Sequence, residues 1–238
     1  MQLTGDEAHH ASRVLRIQTN ERVAVLDGAG HEFPCRVAEI SKLEVRLEVI
    51  EKKTVPPLPY QITLLQAIPK GKIIESIIQK ATELGAHRIV PLLSERVTTK
   101  LDGKAAAAKA AQWQQVALEA IKQCGAAWLP RVESPVTPAE SIARMENFDL
   151  SLVGALIGER KHPRKYLDEY QSTQDGPPRS VAIWIGPEGD FSQEELNLIL
   201  KSGALPISLG RLVLRVETAA IYCLSFLNYE LQSDNPVV

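Results

Sequence analysis

The chain has 238 residues, of which 45% are hydrophobic and 24% are charged, so it can form one large domain or a small domain and a medium one. Its formal net charge of −2 excludes a generally basic nucleic-acid-binding surface, so any RNA site must be a local patch. The three cysteines lie far apart without a CxxC or Cys/His cluster, and no apolar run resembles a secretory signal or a membrane span, so we expect a cytoplasmic protein without metal ions or disulfides.

The N-terminal part of the chain is predicted to be rich in β-structure after one short helix. The helix is expected over residues 6–15 and a strand over residues 22–26, followed by the turn Asp27-Gly-Ala-Gly30. Residues 43–49 alternate apolar and charged side chains, which predicts a half-buried strand with the apolar residues inward. Short strands and tight turns over about fifty residues indicate a small β-barrel.

The pattern of predicted secondary structure changes after a predicted linker. Residues 52–59 contain Pro56-Pro57-Leu58-Pro59, and proline excludes helix interiors and central strands. Beyond Tyr60, strands and helices alternate, which is typical of a mostly parallel sheet covered on both faces. Strands are predicted over residues 61–67, 88–93, 149–153, 180–185 and 205–209, and helices over residues 71–84, 104–124, 192–203 and 217–231.

Two local patterns refine these helices. Ile73, the first of six apolar residues at helical spacing in residues 71–84, is predicted to face the core. Ser192 and Glu195 match a capping box, in which each residue satisfies a free N–H group of the other.

The loop Gly186-Pro187-Glu188-Gly189 follows the predicted strand 180–185. Glycine lets the backbone approach a ligand closely, and the helix that follows offers free N–H groups. The tetrapeptide alone is also typical of a tight strand-to-helix turn. It is not a GxGxxG fingerprint, and the chain has no Walker A loop, which argues against the usual dinucleotide and triphosphate sites.

A second loop of this kind follows the last predicted strand. It comprises Leu209-Gly210-Arg211 and Leu214-Arg215-Val216-Glu217-Thr218 and leads into the final helix. Its arginine and glutamate could be a surface ion pair of little energetic value. However, two strand-end turns about twenty residues apart predict one ligand pocket, because open α/β sheets bind ligands at the carboxyl ends of their strands.

Two further segments are less specific on their own. Lys70-Gly71-Lys72, followed by charged residues on one helix, is typical of a solvated face, and Ser94-Glu95-Arg96 is typical of a loop. Taken in order, the segments 70–85, 89–96, 186–189 and 209–219 resemble the bacterial ribosomal RNA small subunit methyltransferase E family. His10-x-x-x-Val14-Leu15-Arg16 resembles the N-terminal signature of that family, so the resemblance covers nearly the whole chain.

The resemblance implies both fold and activity. Members of this family use S-adenosylmethionine to methylate N3 of a uridine in 16S ribosomal RNA of the small subunit. The expected architecture is α/β: a PUA-like RNA-binding barrel over residues 1–55, then a SPOUT-type domain over residues 60–238 with a mostly parallel sheet and a C-terminal trefoil knot. The family works as a homodimer, and nothing in the composition or periodicity predicts the knot.

The same resemblance implies the site residues. The loops are expected to bind the cofactor largely through backbone groups, and the residues concerned are Gly154, Ala155, Gly186, Pro187, Glu188, Gly189, Ser208, Leu209, Gly210, Leu214, Thr218 and Ala219. Arg215 and Glu217 are the expected catalytic pair, with Arg215 stabilising the uridine anion and Glu217 taking the proton or orienting the arginine. The alternative for Glu217 is that it only caps the final helix. RNA contacts are expected from Arg13, Arg16, Lys70, Lys72, Ser94 and Arg96.

The sequence departs from the family pattern at several places. It starts at Met1-Gln-Leu-Thr where the family usually has a further strand upstream, so we expect the barrel to lack its first strand. Asp190 stands where the family's loop usually has a second glycine after Gly189. Residues 122–126 lack the acidic residue and the arginine of the family's stretch. Arg211 is followed by Leu212, whereas in the family an arginine more commonly directly precedes the Val-Leu-Arg run. These departures bear on RNA contacts more than on cofactor binding.

Three other functions remain open at this point. The first is a related methyltransferase that acts on another RNA, such as transfer RNA, through the same pocket. The second is a non-catalytic RNA-binding assembly factor, against which the intact loops 186–189 and 214–218 argue. The third, a nucleotide-binding oxidoreductase, lacks the glycine fingerprint and the acidic ribose partner that it would need.

Overall fold

A computed structural model describes residues 1–41, 43–97, 101, 103–144 and 147–232. The chain forms two compact units. The first comprises Met1–Pro57 together with Gly125–Trp128, and the second comprises Leu58–Cys124 together with the chain from Leu129 onward.

The first unit is built on an antiparallel sheet. Its strands are β1 (Gln2–Thr4), β2 (Arg22–Leu26), β3 (His31–Ile40), β4 (Glu44–Val49) and β5 (Lys53–Thr54), and its helix is α1 (Gly5–His9), which continues into a π-helical turn (His10–Val14). The strand order is β1-β4-β3-β2, and β5 pairs with β3. A small apolar core packs one face of this sheet against the helix, and its buried members are Ala8, Ala11, Ile17, Cys35, Val37, Val45 and Leu47.

Three features of this unit differ from the sequence prediction. The predicted helix 6–15 is divided into an α-helical and a π-helical turn: within the second, the Ser12 hydroxyl donates to the Ala8 carbonyl at 2.7 Å, and the Leu15 N–H donates to the His10 carbonyl, five residues earlier, at 3.0 Å. Leu43 is 82% exposed and precedes β4, so the inward face of that strand is formed by Val45 and Leu47 alone. The long strand β3, which has Pro34 as its fourth residue, was not predicted.

A short distant segment completes the first unit. Gly30 donates its N–H to the Ala127 carbonyl at 2.9 Å, and the Trp128 indole N–H donates to the Val55 carbonyl at 2.9 Å. Gly30 has a φ of +90°, and a Cβ atom added to it would lie 2.4 Å from Trp128 Cζ2. Only glycine therefore allows the indole to pack over this turn.

The second unit is a parallel sheet of six strands with helices on both faces. The strands are β6 (Gln61–Ala67), β7 (Arg88–Leu92), β8 (Arg131–Val132), β9 (Leu150–Gly154), β10 (Ser180–Ile185) and β11 (Leu205–Ile207), in the order β11-β9-β10-β6-β7-β8. The helices are α2 (Ile73–Glu83), α3 (Gly103–Cys124), α4 (Pro138–Arg144), α5 (Pro163–Thr173), α6 (Gln193–Lys201) and α7 (Val216–Leu231). The predicted strand–helix alternation is thus confirmed.

Alternate residues of β6 belong to different cores, which shows that both faces of the sheet are covered. Ile62 and Leu64 pack in the core formed with α2, α3, α5 and α7. Leu65 and Ala67 pack in the core formed with α4 and α6. A strand buried on both faces reads as a continuous apolar run, as β6 does.

Several details of the second unit correct the sequence prediction. Ile73 was expected in the core but is 36% exposed, because α2 begins at this residue and its first turn projects beyond the packed face. The helices α4 and α5 and the short strand β8 were not predicted. For α5 a signal existed, since His162 caps the helix through Nδ1 and Pro163 follows at its first position.

The sheet places the predicted loops side by side. The strands β9, β10 and β11 are neighbours, so the segments that follow their carboxyl ends lie at one edge of the sheet. The trefoil knot stays a prediction. Within the described ranges, none of the helices has the length and apolar character needed to cross a membrane.

Candidate functional site

The loops after β9, β10 and β11 and the start of α7 enclose a cavity of about 770 Å³. This volume is within the range of small-molecule sites, and its position outside the carboxyl ends of the strands is where open α/β sheets bind ligands. The predicted site residues that line it are Gly154, Ala155, Gly186, Pro187, Glu188, Leu209, Gly210, Leu214, Arg215, Glu217 and Ala219. Gly189, Ser208 and Thr218 do not line the cavity, although each is a chain neighbour of a residue that does.

Nine further residues line the cavity that were not named individually from the sequence, although Leu156 and residues 211–213 lie within the loops 154–156 and 208–215 that were expected to bind the cofactor. The nine are Ile73, Leu156, Arg160, Ile185, Asp190, Arg211, Leu212, Val213 and Val216. The apolar spacing of Ile73 predicted a core residue, so its position at the start of α2 was the one signal that it could line a cavity. Arg160 carried no local signal, and its Nη1 atom donates to the Ala155 carbonyl at 3.0 Å.

The backbone of the loop after β10 is tightly folded. A Cβ atom added to Gly186 would lie 3.0 Å from Asp190 Oδ1 and 3.1 Å from the Phe191 nitrogen, so a larger residue would displace the turn. Asp190 has a φ of 61°, in the left-handed region, and its N–H donates to the Pro187 carbonyl at 2.9 Å. Asp190 thus adopts a conformation that glycine takes most easily.

Side chains and main-chain groups tie this loop to the ends of three other strands. Glu188 Oε1 accepts the N–H of Lys70, which follows β6, at 2.9 Å. Asp190 Oδ2 accepts the N–H of Leu156, which follows β9, at 3.0 Å. Arg96, which follows β7, donates through Nη1 to the Gly189 carbonyl. The loop is therefore held in place from both sides of β10.

The residues predicted to contact RNA fall into three situations. Lys70 and Lys72 have exposed side chains beside the start of α2. Arg96 is exposed but is bonded to Gly189. Ser94 is 4% exposed, and its hydroxyl donates to Glu195 Oε2 at 2.8 Å, so in this structure it is not presented to a phosphate in solution.

In the first unit, the two predicted RNA contacts lie close together in the chain. Arg13 belongs to the π-helical turn, and Arg16 has a φ of 54° just beyond it. Both are exposed, and so are the apolar side chains of Val14 and Leu15 between them. A mixed basic and apolar surface of this kind can contact phosphates and unstacked bases.

The cavity carries charges of both signs. Its acidic residues are Glu188, Asp190 and Glu217, and its basic residues are Arg160, Arg211 and Arg215. Arg215 is the N-cap of α7 but its side chain makes no capping bond, and Glu217 lies in the first turn. A carboxylate there is favoured by the helix dipole, and the same position directs it to the cavity. Among the described residues, no group of three or more His, Cys, Asp or Glu side chains could hold a metal ion.

The chain matches two known domain families. The RNA methyltransferase domain family matches residues 56–228, and the RNA methyltransferase PUA domain family matches residues 3–50. The ribosomal RNA small subunit methyltransferase E of Bacillus subtilis is 31% identical over 97% of this chain and 90% of its own length. The protein of that name from Synechocystis is 32% identical over 97% of this chain and 73% of its own length.

Solved structures agree with these matches. A protein of Legionella pneumophila, described as a methyltransferase and solved with its bound cofactor SAM, is 35% identical with a TM-score of 0.86, covering 97% of this chain and 91% of that one. The ribosomal RNA small subunit methyltransferase E of Neisseria gonorrhoeae, solved with S-adenosyl methionine, is 26% identical with a TM-score of 0.84 over the same shares of the two chains. The expected α/β architecture, with a PUA-like N-terminal sheet and a SPOUT-type parallel sheet, is thus confirmed. The protein belongs to the bacterial RNA methyltransferase family of ribosomal RNA small subunit methyltransferase E.

Proposed function

We propose that this protein uses S-adenosylmethionine to methylate N3 of a uridine in the 16S ribosomal RNA of the small subunit. The observation that carries the proposal is the cavity in which three strand-end loops meet Arg215 and Glu217. Relatives that carry the name ribosomal RNA small subunit methyltransferase E support the substrate class. The position on the base follows from the resemblance of the ordered motifs.

The residues that line the cavity fit such a cofactor. Gly154 and Gly186 bring main-chain donors and acceptors to the wall of the cavity, and Ile73, Leu209 and Val213 offer apolar surface for an adenine ring. The carboxylates and guanidinium groups of the cavity match the ammonium and carboxylate groups of an amino-acid tail. When bound, S-adenosylmethionine supplies an activated methyl group on a sulfonium centre.

The chain's own side chains then act on the uridine. Its N3–H proton must leave before N3 can act as a nucleophile, and the carboxylate of Glu217, a residue that lines the cavity, accepts it. The Arg215 guanidinium stabilises the negative charge that develops on the base. General-base help contributes about 10²–10⁴-fold, and orientation of the two reactants contributes roughly 7–11 kcal/mol.

RNA recognition is assigned to both units. Lys70, Lys72 and Arg96 lie beyond the carboxyl ends of β6 and β7, on the side of the sheet that carries the cavity, and contact phosphates there. Residues 1–55 act as the RNA-binding domain through the exposed surface of Arg13 and Arg16. Because the substrate is ribosomal RNA of a bacterial small subunit, the enzyme works in the cytoplasm.

The active form is a homodimer. Leu212 and Val213, on the loop that lines the cavity, are 80% and 76% exposed. Tyr222 and Tyr229 on α7 are exposed as well. Leu212 and Val213 are adjacent in the chain, and Tyr222 and Tyr229 share one face of α7. Exposed side chains of this size are typical of an interface, and a second copy of the chain covers them. Sedimentation equilibrium of the full chain checks this, since a monomer at micromolar concentration contradicts it.

The first experiment measures cofactor binding and methyl transfer on the wild-type protein. Calorimetry with S-adenosylmethionine tests the cavity. Radiolabelled methyl transfer to isolated small subunits, naked 16S RNA and transfer RNA then identifies the substrate. Mass spectrometry of the released nucleosides distinguishes 3-methyluridine from other products. Failure to bind S-adenosylmethionine at millimolar concentration contradicts the proposal, and methylation of transfer RNA alone contradicts its substrate.

The second experiment tests the catalytic pair with matched controls. Arg215→Ala and Glu217→Gln are expected to lower the rate of methyl transfer by about 10²-fold or more. Arg179→Ala, at the opposite end of β10, and Glu194→Gln, also in the first turn of a helix, serve as controls and keep wild-type rates. If Arg215→Ala keeps cofactor affinity and turnover within about twofold of wild type, that role is wrong.

A further inference from the structure

Asp190 is a residue of the cavity with a backbone conformation that favours glycine. Its φ is 61°, in the left-handed region. Aspartate is among the few residues with a side chain that tolerate this region. The turn thus has a glycine-like backbone at a residue that carries a carboxylate.

Both oxygens of that carboxylate are used within the protein. Oδ1 accepts the N–H of Phe191 at 2.8 Å, within the loop after β10. Oδ2 accepts the N–H of Leu156 at 3.0 Å, in the loop after β9. One side chain thus connects two loops that are separated by 34 residues in the chain and that both line the cavity.

The hydrogen bond between Asp190 and Leu156 lies in a part of the cavity wall that is weakly held by main-chain hydrogen bonds. The neighbouring Ala155 N–H reaches the Ile207 carbonyl only at 3.4 Å. Arg160 Nη1 donates to the Ala155 carbonyl from a side chain that is itself exposed. The Leu156 N–H to Asp190 hydrogen bond, at 3.0 Å and with an ionised acceptor, is stronger than the long bond from Ala155 to Ile207.

The Asp190 carboxylate also packs closely against Gly186. A Cβ atom added to Gly186 would lie 3.0 Å from Asp190 Oδ1, so Gly186 and Asp190 pack as a pair. In a turn with two glycines this packing and the Leu156 bond are both lost, and more conformations are open to the unliganded loops. Ligand binding would then have to order those loops, and the entropic cost of that ordering would lower the affinity for the ligand.

We propose that Asp190 is a positioning residue for the cofactor: its carboxylate fixes the loop after β9 against the loop after β10 before the ligand binds. This inference rests on the proposed use of S-adenosylmethionine. It assigns no contact between Asp190 and the reacting atoms. The effect concerns the adenosyl part of the ligand, which S-adenosylmethionine and its demethylated product share.

The test compares Asp190→Gly, which keeps the backbone conformation and removes the carboxylate, with wild type. Calorimetry with S-adenosylmethionine is expected to show an affinity about tenfold weaker, equivalent to about 1.4 kcal/mol. S-adenosylhomocysteine is expected to weaken by the same factor. Amide hydrogen exchange of the peptide that contains residues 154–158 is expected to become faster in the unliganded variant. The KM for S-adenosylmethionine should rise while kcat at saturation stays within about twofold.

Two further variants make the result specific. Asp190→Asn tolerates the left-handed backbone but has one acceptor oxygen, so it should fall between wild type and Asp190→Gly. Asn20→Gly changes another residue of positive φ, 70°, in the first unit, and should leave affinity and exchange over residues 154–158 unchanged.

Three outcomes overturn the inference. They are an unchanged affinity in Asp190→Gly, unchanged exchange over residues 154–158, and a loss confined to S-adenosylmethionine, which would indicate direct contact with the sulfonium charge. If the wild-type protein itself does not bind S-adenosylmethionine, the proposed function fails instead, so the two failures are distinguishable.

Discussion

Glu195 accepts a hydrogen bond from the hydroxyl of Ser94, 101 residues earlier in the chain, with an oxygen–oxygen distance of 2.8 Å. Its other oxygen accepts the N–H of Glu95 at 2.8 Å, and it also completes the capping box with Ser192. One carboxylate therefore stabilises the start of α6 and holds the loop after β7. That loop also carries Arg96, which is bonded to the cavity loop at Gly189.

This arrangement predicts unequal costs for two changes in one capping box. Ser192→Ala removes a single acceptor and should lower the free energy of unfolding by about 1 kcal/mol. Glu195→Ala leaves three donors without their carboxylate and should lower it by about 2–3 kcal/mol. Urea unfolding measures both, with Glu194→Ala as a control in the same helical turn. Equal losses for the two variants would show that the Ser94 and Glu95 bonds contribute nothing.

The first unit offers a prediction about its distant segment. Gly30→Ala places a Cβ atom 2.4 Å from Trp128 Cζ2 at a φ of +90°, so we expect a loss of stability of about 2 kcal/mol or more. Gly176 has a φ of +106° and nothing within 4 Å of the added atom, so Gly176→Ala reports the backbone strain alone, about 1 kcal/mol. Thermal unfolding that shows the same shift for both variants would contradict the packing of Trp128 on this turn.

Asp27 makes the stability of the first unit depend on pH under acidic conditions. The hydrogen bond from the Ala29 N–H is the largest cause that lowers the pKa of the carboxyl from 3.8 to about 2, and bonds from the His31 side chain and N–H add to it. Because the pKa is lowered in the folded state, its stabilisation is complete above about pH 4 and is lost as the pH falls to about 2.

The measurement is unfolding of wild type and Asp27→Ala between pH 5 and pH 2. The stability difference between them should be constant above about pH 4 and should shrink as the carboxyl becomes protonated. A difference that stays the same over the whole interval would mean that the folded-state pKa is not lowered.

The cysteines predict a pattern of thiol reactivity. Burial raises the pKa of both the Cys35 and the Cys223 thiols, and both side chains are fully buried, whereas Cys124 is exposed. Since the thiolate is the reactive form, a disulfide reagent should label one thiol in the native protein and all three after unfolding. Cys124→Ser should abolish the fast reaction, and persistence of that reaction would place it at a buried thiol.

Local patterns anticipated much of the second unit. The apolar run of β6, the strand β10, the capping box of α6 and the glycine-containing loop after β10 all lie where the sequence predicted them, within a residue or two. Each of these depends on contacts between residues close in the chain, or on a strand buried on both faces. The antiparallel strand β3 was not predicted, because its pairing depends on its partners β2 and β4 more than on its own residues.

The fate of Ser94 shows where local reasoning ends. As part of an ordinary loop it resembled a phosphate contact, yet its hydroxyl is bonded to Glu195 and hidden from solvent. Asp190 is the converse case: the sequence marked it as a departure from two glycines, and the bond to Leu156 gives it a structural role.

The sequence by itself determined most of the long elements of the second unit, the two turns that end at the cavity, and the family to which the chain belongs, because periodicity, caps and glycine positions are local properties. The tertiary structure alone decided that β11, β9 and β10 are neighbours, and that Arg160, Asp190 and Ile73 share their cavity. The order of strands in a sheet depends on pairing between segments far apart in the chain, and no local pattern carries that information.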